Sequence, residues 1–471
     1  MIPRMRLKSL LAVCCSLATS AMLITGCSNG ITSTSSGTNP QTTTGSSFVV
    51  GTDAPMDSVT SFAVQLESIN ATDASGNSVS LLSGSPTVDF ARFNGLQTLL
   101  DMNDIPVGTY TSVTVSMGTA NLSYLNVPAS GAPTIQSEAA TLTTSTVTVT
   151  LDKPLVITQS GAPAGLHLDF DLRKSILVDS NGQITGQVTP TFNINSVANN
   201  EAGAYIDEFD AAVVSVDTTA QSFVVQGPHG RQFTVDVNGQ TEWENSEGLG
   251  SLTTSSIISI SGTLDRADAT IDADDVAILS QDGFYADGQV TYVTPSSGSA
   301  TSFDLYVRGL LPTTTGLTLG QIATVDLSGN EDFYIRWMHD TLPTKISSLF
   351  FNASSMMPGQ HVAVGGPASG ADNAGDVTVK RVVLRHWGFD GTVVANSVSA
   401  SGRTFQMQIN GFAGNLITQP VTVYVIGRTG WRDGCTGLSS LSGGENVRVV
   451  GLLLNLSGQP VLVAHYVDGL N

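Results

Sequence analysis

From Phe48 onward, apolar and polar residues alternate with a period of two. Val113, Val115 and Met117 are separated by Thr114 and Ser116, and Val147, Val149 and Leu151 by Thr148 and Thr150. Successive strand side chains point to opposite faces, so β-branched runs of this kind bounded by Gly or Pro read as half-buried strands. Asn181-Gly182 between residues 176–178 and 184–188 gives a hairpin signal, because both positions accept the left-handed backbone of a tight turn. Helical periodicity is nearly absent, and the stretch 94–104 (NGLQTLLDMND) is the candidate for one short helix. The pattern predicts an all-β chain.

The second half repeats itself. Residues Val235, Val237, Gly239, Thr241 and Trp243 recur as Val423, Val425, Gly427, Thr429 and Trp431, and again as Val325, Leu327, Gly329, Glu331 and Phe333. Each copy follows a strand pattern that begins at Phe223, Phe303 or Phe405, and each precedes an apolar run ending at Gly262, Gly366 or Gly451. The template glycines lie 90 and 98 residues apart, room for five or six strands, which predicts small closed or nearly closed OB-like barrels. Gly239, Gly329 and Gly427 are expected to permit a bulge or bend at a barrel corner. The following aromatic is expected to fill the barrel end, with a sugar-binding platform as the alternative. The unit resembles a bacterial family of unknown function that is often found in tandem on exported proteins.

The first residues carry an address. Arg4, Arg6 and Lys8 precede a mostly apolar stretch, 10–24, too short to cross a bilayer comfortably. It ends in Leu23-Ile24-Thr25-Gly26-Cys27, which resembles the bacterial lipobox. That resemblance implies cleavage before Cys27, lipidation of its thiol and acylation of the new N-terminus, so that several acyl chains anchor the protein in a membrane. Ser28 follows, which in the enterobacterial sorting pattern favours the outer membrane. Residues 28–46 (SNGITSTSSGTNPQTTTGS) read as a flexible tether.

Charge narrows the function further. The chain of 471 residues has 39 Asp+Glu against 19 Lys+Arg, a formal net charge of −20, and loss of the leader removes three more positive charges. That field repels polyanions and excludes a nucleic-acid partner. Once Cys14 and Cys15 leave with the leader and Cys27 is acylated, Cys435 stands alone, so no disulfide is expected. Cys435 is expected to be a half-buried small residue, with a reactive thiol as the alternative.

Segment 47–199 contains Thr52-Asp53-Ala54-Pro55, then Pro106-Val107-Gly108-Thr109-Tyr110, and finally Leu168-Asp169-Phe170-Asp171-Leu172-Arg173-Lys174-Ser175. These three ordered motifs resemble a bacterial lipoprotein domain family of unknown function. The resemblance implies an extracytoplasmic β-sandwich similar to transthyretin-like or immunoglobulin-like modules. Alternation puts Leu166, Leu168, Phe170 and Leu172 toward a core and His167, Asp169, Asp171 and Arg173 on the opposite face. Asp169 and Asp171, with Asp53 and Asp57 of the earlier turn, form a candidate Ca²⁺ site. The competing and better-favoured reading is a charge ladder balanced by Arg173 and Lys174, since basic neighbours disfavour a cation.

The sequence lacks HExxH, GxSxG, Walker-type, CxxC and Rossmann motifs, and its six histidines are scattered without an i,i+4 pair. Residues 265–275 (DRADATIDADD) fail the EF-hand spacing and are expected to form a solvated hairpin turn. Lys380, Arg381 and Arg385 form the densest basic patch, a weak candidate for an anionic sugar or headgroup. Trp337 and Trp387, with His339 and His386 nearby, lie outside the template and are candidates for exposed ligand contact. The expected organisation is a signal peptide (1–27), a tether (28–46), a sandwich (47–199) and barrels at 206–282, 283–387 and 388–468. The expected function is that of a lipid-anchored, outer-membrane protein of the cell envelope, non-enzymatic, acting as scaffold, adhesin or ligand binder. No cofactor is expected, Ca²⁺ being the one candidate ion. Partners are the membrane through Cys27 and polysaccharide or envelope proteins. The alternatives are a carbohydrate-binding lipoprotein and, third, an extracytoplasmic hydrolase built on a carboxylate pair.

Overall fold

The computed structural model describes residues 43–470, except 55, 57–58, 94–96, 127–133, 160–162, 181–183, 199–204, 228–229, 231, 265–269, 312–315, 338–349, 368–376 and 433. Thr42–Asn471 forms one compact unit, and strands dominate it, so the chain is all-β. Cys27 and nearly all of the expected tether lie outside the described residues. The tether is shorter than expected, because Thr44–Ala54 is already a strand paired with Thr98–Pro106 from Thr44 onward.

The N-terminal part is a sandwich of two sheets. One runs Phe192–Ala198, Ala164–Asp171, Thr44–Ala54, Thr98–Pro106, with Thr44–Ala54 parallel to Ala164–Asp171. The other has eight strands centred on the long strands Val59–Asp73 and Gly108–Asn126. Phe62, Phe90, Phe170 and Phe192 meet between them, and Leu166, Leu168, Phe170 and Leu172 are fully buried as alternation requires. The pairs Ile176 with Val188 and Val178 with Ile184 form the expected hairpin.

Within the expected helix 94–104, residues 94–96 lie outside the described residues and the rest is not helical. Thr98–Pro106 is a strand covered on both faces. Leu100 packs into the sandwich core while Leu99 and Met102 pack with Phe209 and Phe233 of the next sheet. Burial on both sides removes the alternation that identifies a strand and leaves an apolar spacing that imitates a helix.

Three sheets with one strand order follow. In the first, Tyr205–Asp217, Ser222–Gln226, Gln232–Asp236, Ile257–Leu264 and Ile271–Ser280 pair in the order first–second–third–fifth–fourth and back to the first. The ring closes through the parallel pairing of Val235 with Ile271. The third sheet, Trp387–Val393, Thr404–Ile409, Val421–Arg432, Asn446–Leu456 and Gln459–Gly469, is a closed barrel of the same order. The second uses Gly283–Thr294, Ser302–Leu311, Ile322–Asp326 and His361–Pro367, with its fifth strand split into Val377–Thr378 and Arg381–Arg385. This order, with antiparallel neighbours except the third and fifth strands, is an OB-like barrel.

The sequence template falls on equivalent positions in all three. Its first valines lie on the third strand, and its aromatics sit opposite the fifth strand: Trp243 with Val276, Phe333 with Val382 and Trp431 with Val467. Each aromatic is half-buried against its own barrel core. Two template glycines sit at the expected bulge or bend: the pairing slips between Val425 and Gly430, around Gly427, and Gly329 has a left-handed backbone. A Cβ at Gly239 or Gly427 would meet open space, whereas one at Gly262 or Gly451 would lie 2.1 Å from a backbone carbonyl of the fifth strand. Register shifts occur beside both, between Ser261 and Gly262 and between Val450 and Gly451, so the fourth strand carries a bulge of its own.

Candidate functional site

The barrels and the sandwich meet across ion pairs shielded from water. Barrel one presents carboxylates: Glu208 and Asp210 from its first strand, Glu244 from the connection after its third, and Asp275 from its fifth. Barrel two inserts arginines into them. Arg336, fully buried, holds Asp275, donates to Ser261 Oγ at 2.6 Å, and lies 3.9 Å from Glu244 and 4.0 Å from Glu208. Arg385 grips Asp210 with two nitrogens at 2.8 and 3.0 Å, holds Glu208 as well, and donates to Tyr285 Oη at 2.6 Å. The sandwich adds Arg92, 2.7 Å from Asp210 and 3.5 Å from Asp287. Such fork-shaped pairings fix orientation as well as charge.

Burial raises the Glu208 carboxyl against the pull of Arg385. At Asp210 the same penalty is outweighed by Arg385 and Arg92, which hold the carboxyl below its ordinary value. For Arg336, burial works against the charge, yet Asp275, Glu208 and Glu244 keep its pKa above the usual guanidinium value. The network is thus a set of mutually neutralised charges, each depending on its partner.

His361 is buried beside it, 3.1 Å from Asp287 through Nε2, and its ring stacks on Trp387 at 4.4 Å. Burial depresses its pKa to about 4 despite Asp287, so the imidazole is neutral at pH 7. A depressed histidine pKa means that the unfolded chain takes up the proton first. Its contribution to stability is therefore complete above the unfolded value of about 6.5 and is lost as pH falls from 6.5 toward 4, by about 3 kcal/mol in all. The difference in urea midpoint between wild type and His361→Gln is expected to change across that window. A pH-independent difference would refute the assignment.

Where the sandwich meets barrels one and two, a cavity of about 480 Å³ opens. Phe93, Leu99, Phe209, Phe233, Leu310 and Leu317 give it an apolar wall. Asp89, Arg92, Glu208, Asp210, Arg308 and Arg385 give it a charged end, and exposed Thr87, Thr318 and Leu319 mark where it reaches the surface. Its volume and mixed lining are those of a small-molecule site. Arg92 and Arg385 are committed to carboxylates, as above. Arg308 is not: although only 3% exposed, it has no carboxylate within ion-pair distance among the described residues. One nitrogen donates to the Ala91 carbonyl at 3.2 Å, Nε has no partner, and the guanidinium carbon lies 4.5 Å from the Trp387 ring centre. Burial lowers the Arg308 pKa, with Tyr306 and Asp89 opposing it.

The residues singled out from sequence are distributed otherwise. Trp387 is buried, with Arg308 and His361 against its ring, and so is no exposed platform. Trp337 is half-buried against the barrel-two core, its backbone N–H donating to Glu244 at 2.7 Å, and His339 lies outside the described residues. Arg381 and Arg385 form no surface patch. Arg385 sits in the ionic core, and Arg381 pairs with Glu247 at 3.0 Å and lies over Tyr334. The stretch 265–275 is not all solvated turn. Residues 265–269 lie outside the described residues, and Asp275 is a buried strand residue. Cys435 is fully rather than half buried.

Of the four Ca²⁺ candidates, the side chains of Asp169 and Asp171 are described. Asp57 and the side chain of Asp53 lie outside the described residues. Asp171 ends its strand and caps the short turn Leu172–Ser175, accepting from Lys174 N at 3.0 Å while Lys174 Nζ lies 2.6 Å from its carboxylate. Asp169 accepts from Asn193, and Arg173 reaches instead to Asp390 at 3.0 Å. Among the described residues no group of three His, Cys, Asp or Glu is placed to hold a metal.

The molecule is thus a β-sandwich carrying three OB-like barrels around a shared ionic interface. Residues 46–190 match the family described as Domain of unknown function (DUF4382), which makes the sandwich similar to that family. No curated protein matches the chain.

Proposed function

We propose that this is a lipid-anchored protein of the bacterial cell envelope, held at the outer membrane through Cys27, that binds a small molecule and catalyses no reaction. The cavity between sandwich and barrels carries the binding part, because it joins an apolar wall to a buried arginine without a counter-ion. Among the described residues no Ser, Cys or His lines it, which disfavours nucleophilic or histidine-driven hydrolysis. Its carboxylates are partly engaged: Asp89 Oδ1 accepts from Phe62 N at 2.8 Å, and Arg385 holds Asp210 and one oxygen of Glu208, while Asp89 Oδ2 and Glu208 Oε1 have no hydrogen-bond partner among the described residues. A polysaccharide platform has lost Trp387 to the interior. The anchor rests on the leader and the Leu23–Cys27 motif alone.

Each half has its own test. Cys27→Ser is expected to move the protein from the membrane to the soluble fraction, and unchanged partition would remove the anchor. The neutral fluorescent probe prodan is expected to bind one per chain with enhanced emission. Leu319→Trp, at an exposed position on the cavity mouth, should abolish that signal. Absence of binding by the wild type, or equal binding by both, would remove the binding function.

A further inference from the structure

We propose that the cavity takes a long-chain monocarboxylate, its carboxylate on Arg308 and its alkyl chain along Leu99, Phe209, Phe233 and Leu317 toward the mouth at Leu319. This rests on the reading of the cavity as a binding site and adds the chemical class of its occupant. A buried guanidinium without an ion pair is costly, and the near neighbours of Arg308 are a carbonyl and the rings of Trp387 and Tyr306, with Asp89 and Asp287 acting only from beyond ion-pair distance. The other two arginines of the wall are held by Asp210, Glu208 and Asp287, so among the described residues Arg308 is the guanidinium of the wall without an ion pair of its own, and a single carboxylate would supply one. A planar carboxylate fits the guanidinium fork, and the bond is strengthened by charge on both sides.

The remaining wall weighs against other classes. Nine of its side chains are apolar against four neutral polar ones, Thr87, Gln97, Thr98 and Thr318, which favours an alkyl chain over a sugar or a polyol. A cationic amphipath would put a second positive charge beside Arg308. Asp89 is the acid that faces Arg308 at longer range, and burial raises its carboxyl, so a proton neutralises it more readily than it does an exposed aspartate. An incoming carboxylate therefore meets less repulsion than the count of acids suggests.

Displacement of prodan from the full-length chain by dodecanoate, dodecanol and dodecylammonium, at concentrations below their aggregation, tests the class. Dodecanoate is expected to bind at least about tenfold more tightly than dodecanol, with dodecylammonium weakest. Arg308→Gln is expected to bring dodecanoate and dodecanol to equal affinity while prodan still binds. Asp89→Asn, which keeps an oxygen for Phe62 N, is expected to tighten dodecanoate several-fold and leave dodecanol unchanged. If Arg308→Gln does not fold, the wild-type ratio and Asp89→Asn decide the matter. Prodan binding with dodecanol equal to or better than dodecanoate overturns the carboxylate assignment and leaves the cavity a neutral-ligand site. Failure of prodan itself overturns the binding function from which the assignment starts.

Discussion

Replacing Arg336 with alanine is expected to destabilise the folded chain by about 3–5 kcal/mol, read as a fall in the urea midpoint. The side chain is fully buried and is the cation against which Asp275 lies, with Glu244 and Glu208 within 4.0 Å. Without it, Asp275 keeps its burial and loses the cation it lies against, and Glu244 and Glu208 each lose one of the positive charges near them. Most of the loss is thus the penalty of stranded negative charge rather than of a missing contact. Two corollaries follow from that cause. Asp275→Asn on the Arg336→Ala background should recover part of the loss, because it removes one stranded charge. Lys380→Ala should have little effect, since Lys380 and Asp282 pair at 3.0 Å but are both largely exposed. Equal effects of Arg336→Ala and Lys380→Ala would show that the buried network is not what joins the two barrels.

Gly262→Ala and Gly451→Ala are expected to lose about 3 kcal/mol each, while Gly239→Ala and Gly427→Ala stay near the wild type. At the first two positions a Cβ would lie 2.1 Å from the carbonyl of Asp272 or Val463, on the neighbouring strand of the same barrel. Backbone cannot swing aside as a side chain can, so the strands must part and break their ladder. At the other two positions a Cβ meets nothing within 4 Å, and neither backbone is left-handed. Thermal unfolding of the four variants separates the cases, and a large loss at Gly239 would contradict the open space around that position.

The repeat template shows what the chain makes legible. Valines at every second position and an aromatic at a fixed distance identify the third strand of each barrel, because a strand with one wet face needs that alternation. The same logic misleads where both faces are dry. Leu99 and Leu100 point into two different cores, and Arg381 and Arg385 sit on a strand that is buried throughout. The run Arg381-Val382-Val383-Leu384-Arg385 does carry a signal, since a strand apolar on consecutive positions has no solvent face on which to leave its arginines. The cavity was not legible at all. Asp89, Glu208 and Arg308 are each about a hundred residues from the next, and no local pattern records which loops and strands of separate modules will meet.

Several ties between modules span very long stretches of chain. Arg173 is bound to Asp390, 217 residues later, Arg308 to the carbonyl of Ala91 across the same separation, and Asp207 to Tyr466 across 259 residues. At translation rates of roughly 5–20 residues per second, the sandwich emerges about 10–50 s before the residues that complete its outer surface. Each module must therefore hold its own core in the interim, with basic and acidic side chains still bathed in water. The ionic seams close last, and their desolvation sets the final step of maturation. A nascent chain halted before residue 390 would be a folded sandwich with its contact surface unmet, and so a client for whatever factors guard unfinished proteins.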